Sequence, residues 1–351
     1  MRVVIVGATG NVGTSLLRAV KDDPAVDSVL GVARRRPALV VPKTEWAEAD
    51  ITSSDLAPLF RGADVVVHLA WVIQPSHQTS LLWRVNVDGS TRVFRAVAEA
   101  GVPALVYASS VGAYSRGPKD EAVDESWPTE GIPTSFYARH KAEVERRLDR
   151  FERDHPDVRV VRMRPGLIFK REAASGVRRL FLGPLLPSPL ARPALIPVVP
   201  AIPRLRFQAV HSYDVGEAYR LAATMDVRGP FNLAADPVLD ADELARALDA
   251  RTVPLPAALV RTGAALTWSL HLQPTPAGWV DLALSVPILN TARAREELGW
   301  TPRFSSVEAL LDLLAGIRDG AGVETPPLAP ATSGRARARE FATGVGERTG
   351  L

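Results

Sequence analysis

The sequence predicts an α/β protein, a doubly wound parallel sheet carrying a smaller, mixed α/β C-terminal lobe. Strand-like apolar runs alternate with helix-like periodicity through the first half, the pattern of a parallel sheet covered on both faces. The run Gly7-Ala8-Thr9-Gly10-Asn11-Val12-Gly13 falls between an apolar strand and a helix, where such sheets turn around a phosphate. Hydrophobic residues make up 46% of 351 residues, enough for a sizeable core and either two domains or one with a lobe.

In chain order, strands are expected at 3–6, 29–33, 65–69, 105–108 and 158–163, with a further one ending at Asp50-Ile51. Helices are expected at 12–21, 81–100 and 135–153. The second half is mixed, with helices at 214–225 and 240–248 around a short strand at 231–233, and an amphipathic helix at 306–317. Residues 253–289 are apolar and carry Trp268 and Trp279. They read as packed helix or exposed apolar surface, the buried core of the lobe being the plainer alternative. The expected divisions are 1–165 for the nucleotide-binding sheet and 166–318 for the substrate lobe, with some chain returning to the sheet. Residues 319–351, rich in Gly, Thr, Ala, Pro and Arg, are expected to form a disordered tail.

Composition excludes several classes. Net charge is +3 and no basic stretch is interleaved with aromatics, so nucleic acid is not an expected partner. There is no cysteine, which excludes disulfides and thiolate metal sites. His68, His77, His140, His155, His211 and His271 lack metal-ligand spacing, so no metal is expected. The first residues enter a strand without a basic leader or apolar signal core, so a cytoplasmic enzyme is expected. Residues 180–202 are apolar but contain Arg192 and prolines at 184, 187, 189, 193, 197 and 200. Such a segment cannot satisfy its backbone in hydrocarbon, and reads as a lid or substrate loop.

In the glycine run, Gly7, Gly10 and Gly13 supply a tight turn, a close approach to a pyrophosphate and close helix packing, with Thr9, Asn11 and Val12 between them. The helix N-terminus then offers free N–H groups and partial positive charge. The plain alternative is an ordinary glycine-rich turn. At the end of the second strand, Gly31-Val32-Ala33-Arg34-Arg35-Arg36 has no acid for ribose hydroxyls. Arg34 and Arg35 instead suit a 2′-phosphate, favouring NADP over NAD, against the alternative of a solvated basic turn. Asp50 and Ile51 are placed to meet an adenine edge.

The reacting centre is read from Ser135-Phe136-Tyr137-Ala138-Arg139-His140-Lys141. Lys141 lies one helical turn after Tyr137 on the same face. Phenols titrate near pH 10, so acid–base work needs the anion stabilised, a task for the Lys141 ammonium. Ser110, ending the strand Leu105-Val106-Tyr107-Ala108-Ser109-Ser110, is expected to position a substrate oxygen. The plain alternative is a surface helix pair.

These residues, with His68-Leu69-Ala70-Trp71, Asn86-Val87-Asp88-Gly89, Arg164-Pro165-Gly166, His211-Ser212-Tyr213-Asp214 and the run from Asn290 to Trp300, resemble the extended short-chain dehydrogenase/reductases, the NAD-dependent epimerase/dehydratase group, over residues 1–318. The resemblance implies a Rossmann sheet, Tyr137 as acid/base, Lys141 as its partner and ribose ligand, and Ser110 as ligand of the substrate oxygen. It further implies Leu69, Ala70 and Trp71 beside the cofactor, Asn86 near the active site, and Pro165, Gly166 and Leu167 near the nicotinamide. His211 and Asp214 are expected to support the lobe. Relatives often dimerise through two long helices, so a homodimer is an expected assembly.

Two departures bear on substrate. Leu167 stands where members acting on nucleotide sugars commonly carry Asn, and Lys170 replaces a usual glycine. The apolar, Pro-rich region 181–202 that follows offers a diphosphate few groups beyond Arg178, Arg179 and Arg192, with Arg204 or Arg206 further on. An oxidoreductase for an apolar alcohol or carbonyl is therefore expected, with a nucleotide-sugar epimerase/dehydratase as the alternative. A non-catalytic dinucleotide sensor and a membrane-surface enzyme are the remaining readings.

Overall fold

A computed structural model describes residues 1–74, 76–181 and 196–329, without the side chains of residues 179–181. Most of the Pro-rich stretch, Arg192 included, therefore lies outside the described residues, as do residues 330–351 and the Arg179 side chain. In chain order the strands are β1 (Arg2–Val6), β2 (Ser28–Ala33), β3 (Thr44–Glu48), β4 (Val65–His68), β5 (Ala104–Ala108), β6 (Ala122–Val123), β7 (Arg159–Pro165), β8 (Leu167–Phe169), β9 (Val198–Ala201), β10 (Ala209–His211), β11 (Gly229–Leu233), β12 (Arg251–Pro254) and β13 (Ile288–Leu289). The α-helices are α1 (Asn11–Val20), α2 (Ala57–Phe60), α3 (Thr79–Trp83), α4 (Gly89–Glu99), α5 (Phe136–Asp154), α6 (Ala174–Phe181), α7 (Ser212–Thr224), α8 (Ala241–Leu248), α9 (Ala257–Ser269), α10 (Gly278–Ser285), α11 (Ala292–Glu297) and α12 (Ser306–Asp319).

Seven parallel strands form the central sheet in the order β11-β7-β5-β4-β1-β2-β3. The strand order reverses between β1 and β4, which opens a crevice at their C-terminal ends. Helices cover both faces, so the inner strands are apolar on both sides. Val3 and Ile5 pack with Leu16 and Leu17 of α1 and Val215 of α7. Val4 and Val6 face Phe94 of α4 and Val144 of α5. The helix expected at 81–100 is interrupted by one π turn, Arg84–Asp88, which contains the fully buried Asn86.

The lobe is built from two-stranded pairs, β8 with β10 and β9 with β12, and returns β11 to the sheet beside β7. The apolar stretch 253–289 divides. Leu282 of α10 is buried, whereas α9 buries none of its residues. Of the expected tail, residues 320–329 lie within the described residues. Gly320, at φ +63°, reverses the chain after α12. The Ser175 hydroxyl then donates to the Ala321 carbonyl (3.0 Å), and Thr325 and Leu328 are buried.

Candidate active site

The glycine turn joins β1 to α1. A Cβ at Gly7 would stand 2.7 Å from the Ala70 nitrogen, and one at Gly13 would stand 2.5 Å from the carbonyls of Gly7 and Ala8. Gly10 caps α1 without any side-chain bond, which leaves the first-turn N–H groups of Asn11 and Val12 without intrahelical partners. The carbonyls of the turn are tied from behind. Thr9 accepts from Thr325 Oγ1 (2.9 Å), and Asn11 accepts from Lys170 Nζ (2.8 Å) and Ser212 Oγ (3.2 Å). Asn11 Oδ1 and Trp71 Nε1 are buried without a hydrogen-bond partner. Bare donors, a side-chain-free cradle and two orphaned polar atoms fit a dinucleotide.

Arg34 and Arg35 are exposed at the end of β2, and neither is ion-paired among the described residues. Asp50 Oδ1 is occupied by the Thr52 N–H (2.8 Å) and hydroxyl (2.7 Å), and Ile51 is buried against Gly89. Leu69 N–H donates to the Val6 carbonyl (2.8 Å), which holds Ala70 against Gly7. Both amide groups of Asn86 are taken by the Val72 backbone (2.8 and 2.7 Å). Asn86 thus clamps the segment after β4 rather than offering its amide to a ligand. Gly166 packs on the Gln208 carbonyl, where a Cβ would come within 2.6 Å, and its N–H donates to Leu233 (2.9 Å). The next side chain, Leu167, is 41% exposed.

Tyr137 lies one residue into α5, whose N-terminus is capped by Ser135. Its ring rests on Gly112, where a Cβ would meet Tyr137 Cε1 at 2.7 Å. Trp279 of α10 lies over it, centroids 5.0 Å apart, and Trp71 meets it edge-on at 5.9 Å. Burial pushes the phenol up to about 12, while a hydrogen bond with Ser110 pulls it down. The Ser110 hydroxyl also accepts from the Gly112 N–H (3.0 Å).

Lys141 is 3% exposed. It donates to the Ala108 carbonyl (2.6 Å) and lies 3.5 Å from the Trp71 ring centroid and 5.9 Å from that of Tyr137. Burial holds its amine well below the usual lysine range, partly offset by Glu145. Burial dominates and raises the phenol, and the expected lowering by Lys141 is not among the influences on it.

Sequence reading missed the support beneath this pair. Glu145, one turn beyond Lys141, is fully buried and accepts from Ser109 Oγ (2.5 Å), Arg162 (2.8 Å) and Arg164 (2.9 and 3.1 Å). Burial alone would raise this carboxyl, but Arg164 and Arg162 outweigh it and hold it at about 2. The network fixes α5 against β5 and β7. Charges at alternate positions of an otherwise apolar strand, Arg162 and Arg164, were its available signal. His211 bonds Asp312 (3.2 Å), and Asp214 accepts from the Phe304 N–H (3.1 Å), so both join α7 to the C-terminal helix region.

A family model described as "NAD dependent epimerase/dehydratase family" matches residues 3–180. The chain belongs to that family. The family's fold is the Rossmann architecture of extended short-chain dehydrogenase/reductases. A UDP-glucose 4-epimerase from Thermus thermophilus, solved with NAD, superposes with TM-score 0.65 at 21% identity, covering 91% of this chain and 99% of that one. The dTDP-glucose 4,6-dehydratase DesIV from Streptomyces venezuelae, solved with NAD and TYD, gives 0.65 at 19% identity, covering 91% and 97%. An uncharacterized protein of Mycobacterium tuberculosis is 26% identical over 327 residues, 92% of this chain but 31% of that protein. The chain thus spans about a third of that relative's length. The sterol-4-alpha-carboxylate 3-dehydrogenase of Saccharomyces cerevisiae is 29% identical over 194 residues, 51% of this chain and 55% of the enzyme. Among the described residues, no helix is long and apolar enough to cross a membrane and no side-chain group is suited to hold a metal ion.

Proposed function

We propose that this family member is an NADP-dependent oxidoreductase interconverting a carbonyl and an alcohol on a largely apolar substrate, with Tyr137 as the acid/base. The observation that carries the reading is the enclosure of the Tyr137 phenol. It pairs with Ser110 and is packed among Ile132, Val111, Leu282, Trp279 and Trp71. When bound, the nicotinamide supplies or takes the hydride. Tyr137 gives its phenolic proton to the substrate oxygen in reduction and recovers it in oxidation. Ser110 orients that oxygen, and the ammonium of Lys141 steadies the phenolate and meets a ribose hydroxyl. Arg34 and Arg35, unpaired at the β2 end, are the ligands proposed for a 2′-phosphate.

The alternative is a nucleotide-sugar epimerase or dehydratase, favoured by the substrates named for the structural neighbours. Against it, Leu167 brings no amide, and Arg204, a candidate diphosphate clamp, donates to the carbonyls of Leu284 (3.2 Å) and Gly117 (3.0 Å). Thermal-shift screening with NADP(H) present, comparing UDP- and dTDP-sugars with apolar ketones and alcohols, tests the order. Selective stabilisation by a nucleotide sugar reverses it.

A further inference from the structure

The ammonium of Lys141 is buried with few partners for its charge. Of its three donors, one is placed, on the Ala108 carbonyl (2.6 Å). A desolvated cation in that state is costly unless other groups answer its charge. Glu145, one turn on in α5, draws on it, but that carboxylate is shared among Ser109 and the β7 guanidinium groups of Arg162 and Arg164. The other titratable groups near it on β4, β5 and α5 are neutral. Burial holds His68 at about 3 and His140 at about 4, and raises the phenols of Tyr107 and Tyr137.

Aromatic faces surround the charge instead. The Lys141 nitrogen lies 3.5 Å from the ring centroid of Trp71, 5.1 Å from that of Tyr107 and 5.9 Å from that of Tyr137. A ring attracts a cation over its face within about 6 Å, and indole does so best of the three. The indole is also the closest. No hydrogen bond of its own explains where this ring sits, since Nε1 is buried without a partner among the described residues. The chain on either side is pinned. Ala70 packs on Gly7, and the Asn86 amide holds both the N–H and the carbonyl of Val72 (2.8 and 2.7 Å). So placed, the ring meets Tyr137 edge-on at 5.9 Å and gives its face to the ammonium. We propose that Trp71 is a positioning residue of this site, its indole face seating the buried ammonium of Lys141 beside the Tyr137 phenol. The seat stands on these contacts; only its service to proton transfer rests on the function proposed above.

An NMR titration of the full chain with isotope-labelled lysine Cε tests the seat, the Lys141 signal being identified by its loss in Lys141→Arg. In the wild type the indole ring current is expected to move that signal upfield of the other lysines. Trp71→Leu is expected to abolish the upfield displacement. It should also weaken proton binding by the amine about tenfold, so that the group titrates about one pH unit lower, the scale of a desolvated ring–cation contact. Trp71→Phe keeps an aromatic face and should retain both effects in part. A wild-type signal without upfield displacement overturns the proposal, even where a variant fails to fold. So does a titration unchanged in Trp71→Leu, or one lowered equally in both variants, which assigns the effect to lost volume rather than to the ring face. Turnover enters none of these readouts, so the seat and the proposed function fail separately.

Discussion

Two buried lysines flank the dinucleotide turn, and they differ in what they leave free. Lys170, 2% exposed, spends its ammonium on three acceptors: the Asn11 carbonyl (2.8 Å), Thr14 Oγ1 (2.7 Å) and Ser15 Oγ (2.9 Å). An ammonium has three donors, so none remains. Burial lowers this amine to about 8, with Arg18 adding to the effect and Glu172 opposing it. Lys141 has one acceptor, the Ala108 carbonyl, and otherwise lies on the Trp71 ring. The two desolvated ammonium groups have opposite meanings: Lys170 holds the first turn of α1 in shape, while Lys141 keeps donors in reserve next to the phenol.

The largest effect that would break this contrast is on turnover. Tyr137→Phe and Lys141→Met are each expected to lower kcat by about 10²- to 10⁴-fold with circular dichroism unchanged; near-wild-type turnover of either would remove both from the chemistry. The pH profile sharpens the assignment. With the phenol raised to about 12 by burial, the acid form persists through neutral pH, so reduction should lose nothing through this group as pH rises. Oxidation needs the phenolate and should gain about tenfold per pH unit below that value. A plateau near neutral pH would mean that bound cofactor and Lys141 together lower the phenol.

Lys170→Met supplies the opposite half. Removing the ammonium takes one charged donor each from the Asn11 carbonyl, which keeps its hydroxyl donors, and from the Thr14 and Ser15 hydroxyls, a loss of about 1–2 kcal/mol. Thermal or urea unfolding should record that loss while kcat stays near wild type. A variant with unchanged stability but lost turnover would exchange the roles given to the two lysines.

How much of this was legible in the sequence follows from how local each signal is. The glycine turn, the strands around it and the Tyr137/Lys141 spacing are written within single elements, where periodicity and turn chemistry act over a few residues. The lobe pairs residues far apart. Trp279 reaches Tyr137 across 142 positions and Thr325 reaches Thr9 across 316, and no local pattern encodes such meetings. The same limit explains Lys170: its identity as a departure from glycine was visible, but its acceptors lie about 155 positions earlier. For α9, composition could not separate a packed helix from an exposed one, because an outward leucine stripe and an inward one have the same period.

A smaller effect is expected at the far rim of the nucleotide site. Arg34→Ala/Arg35→Ala should shift the NADPH-to-NADH ratio of kcat/KM by about tenfold toward NADH, the scale of one charge-assisted contact. Fluorescence titration of both dinucleotides checks it independently of turnover. An unchanged ratio would make the pair a solvated basic turn.

The smallest effect concerns the second tie on the turn. Lys170 holds the Asn11 carbonyl and Thr325 holds that of Thr9, so the two act on carbonyls two residues apart, one from the middle of the chain and one from its C-terminal part. Thr325 is fully buried and its hydroxyl donates at 2.9 Å. Thr325→Val keeps the shape and removes the donor, which should lower stability by about 1 kcal/mol. Ser175→Ala, on the partly exposed bond to Ala321, should cost less, because water can replace the lost partner there. If the valine variant proves as stable as the wild type, the C-terminal segment merely lies against the turn, and shaping the carbonyl side of the dinucleotide cradle falls to the donors on Asn11: Lys170, Ser212, Thr14 and Ser15.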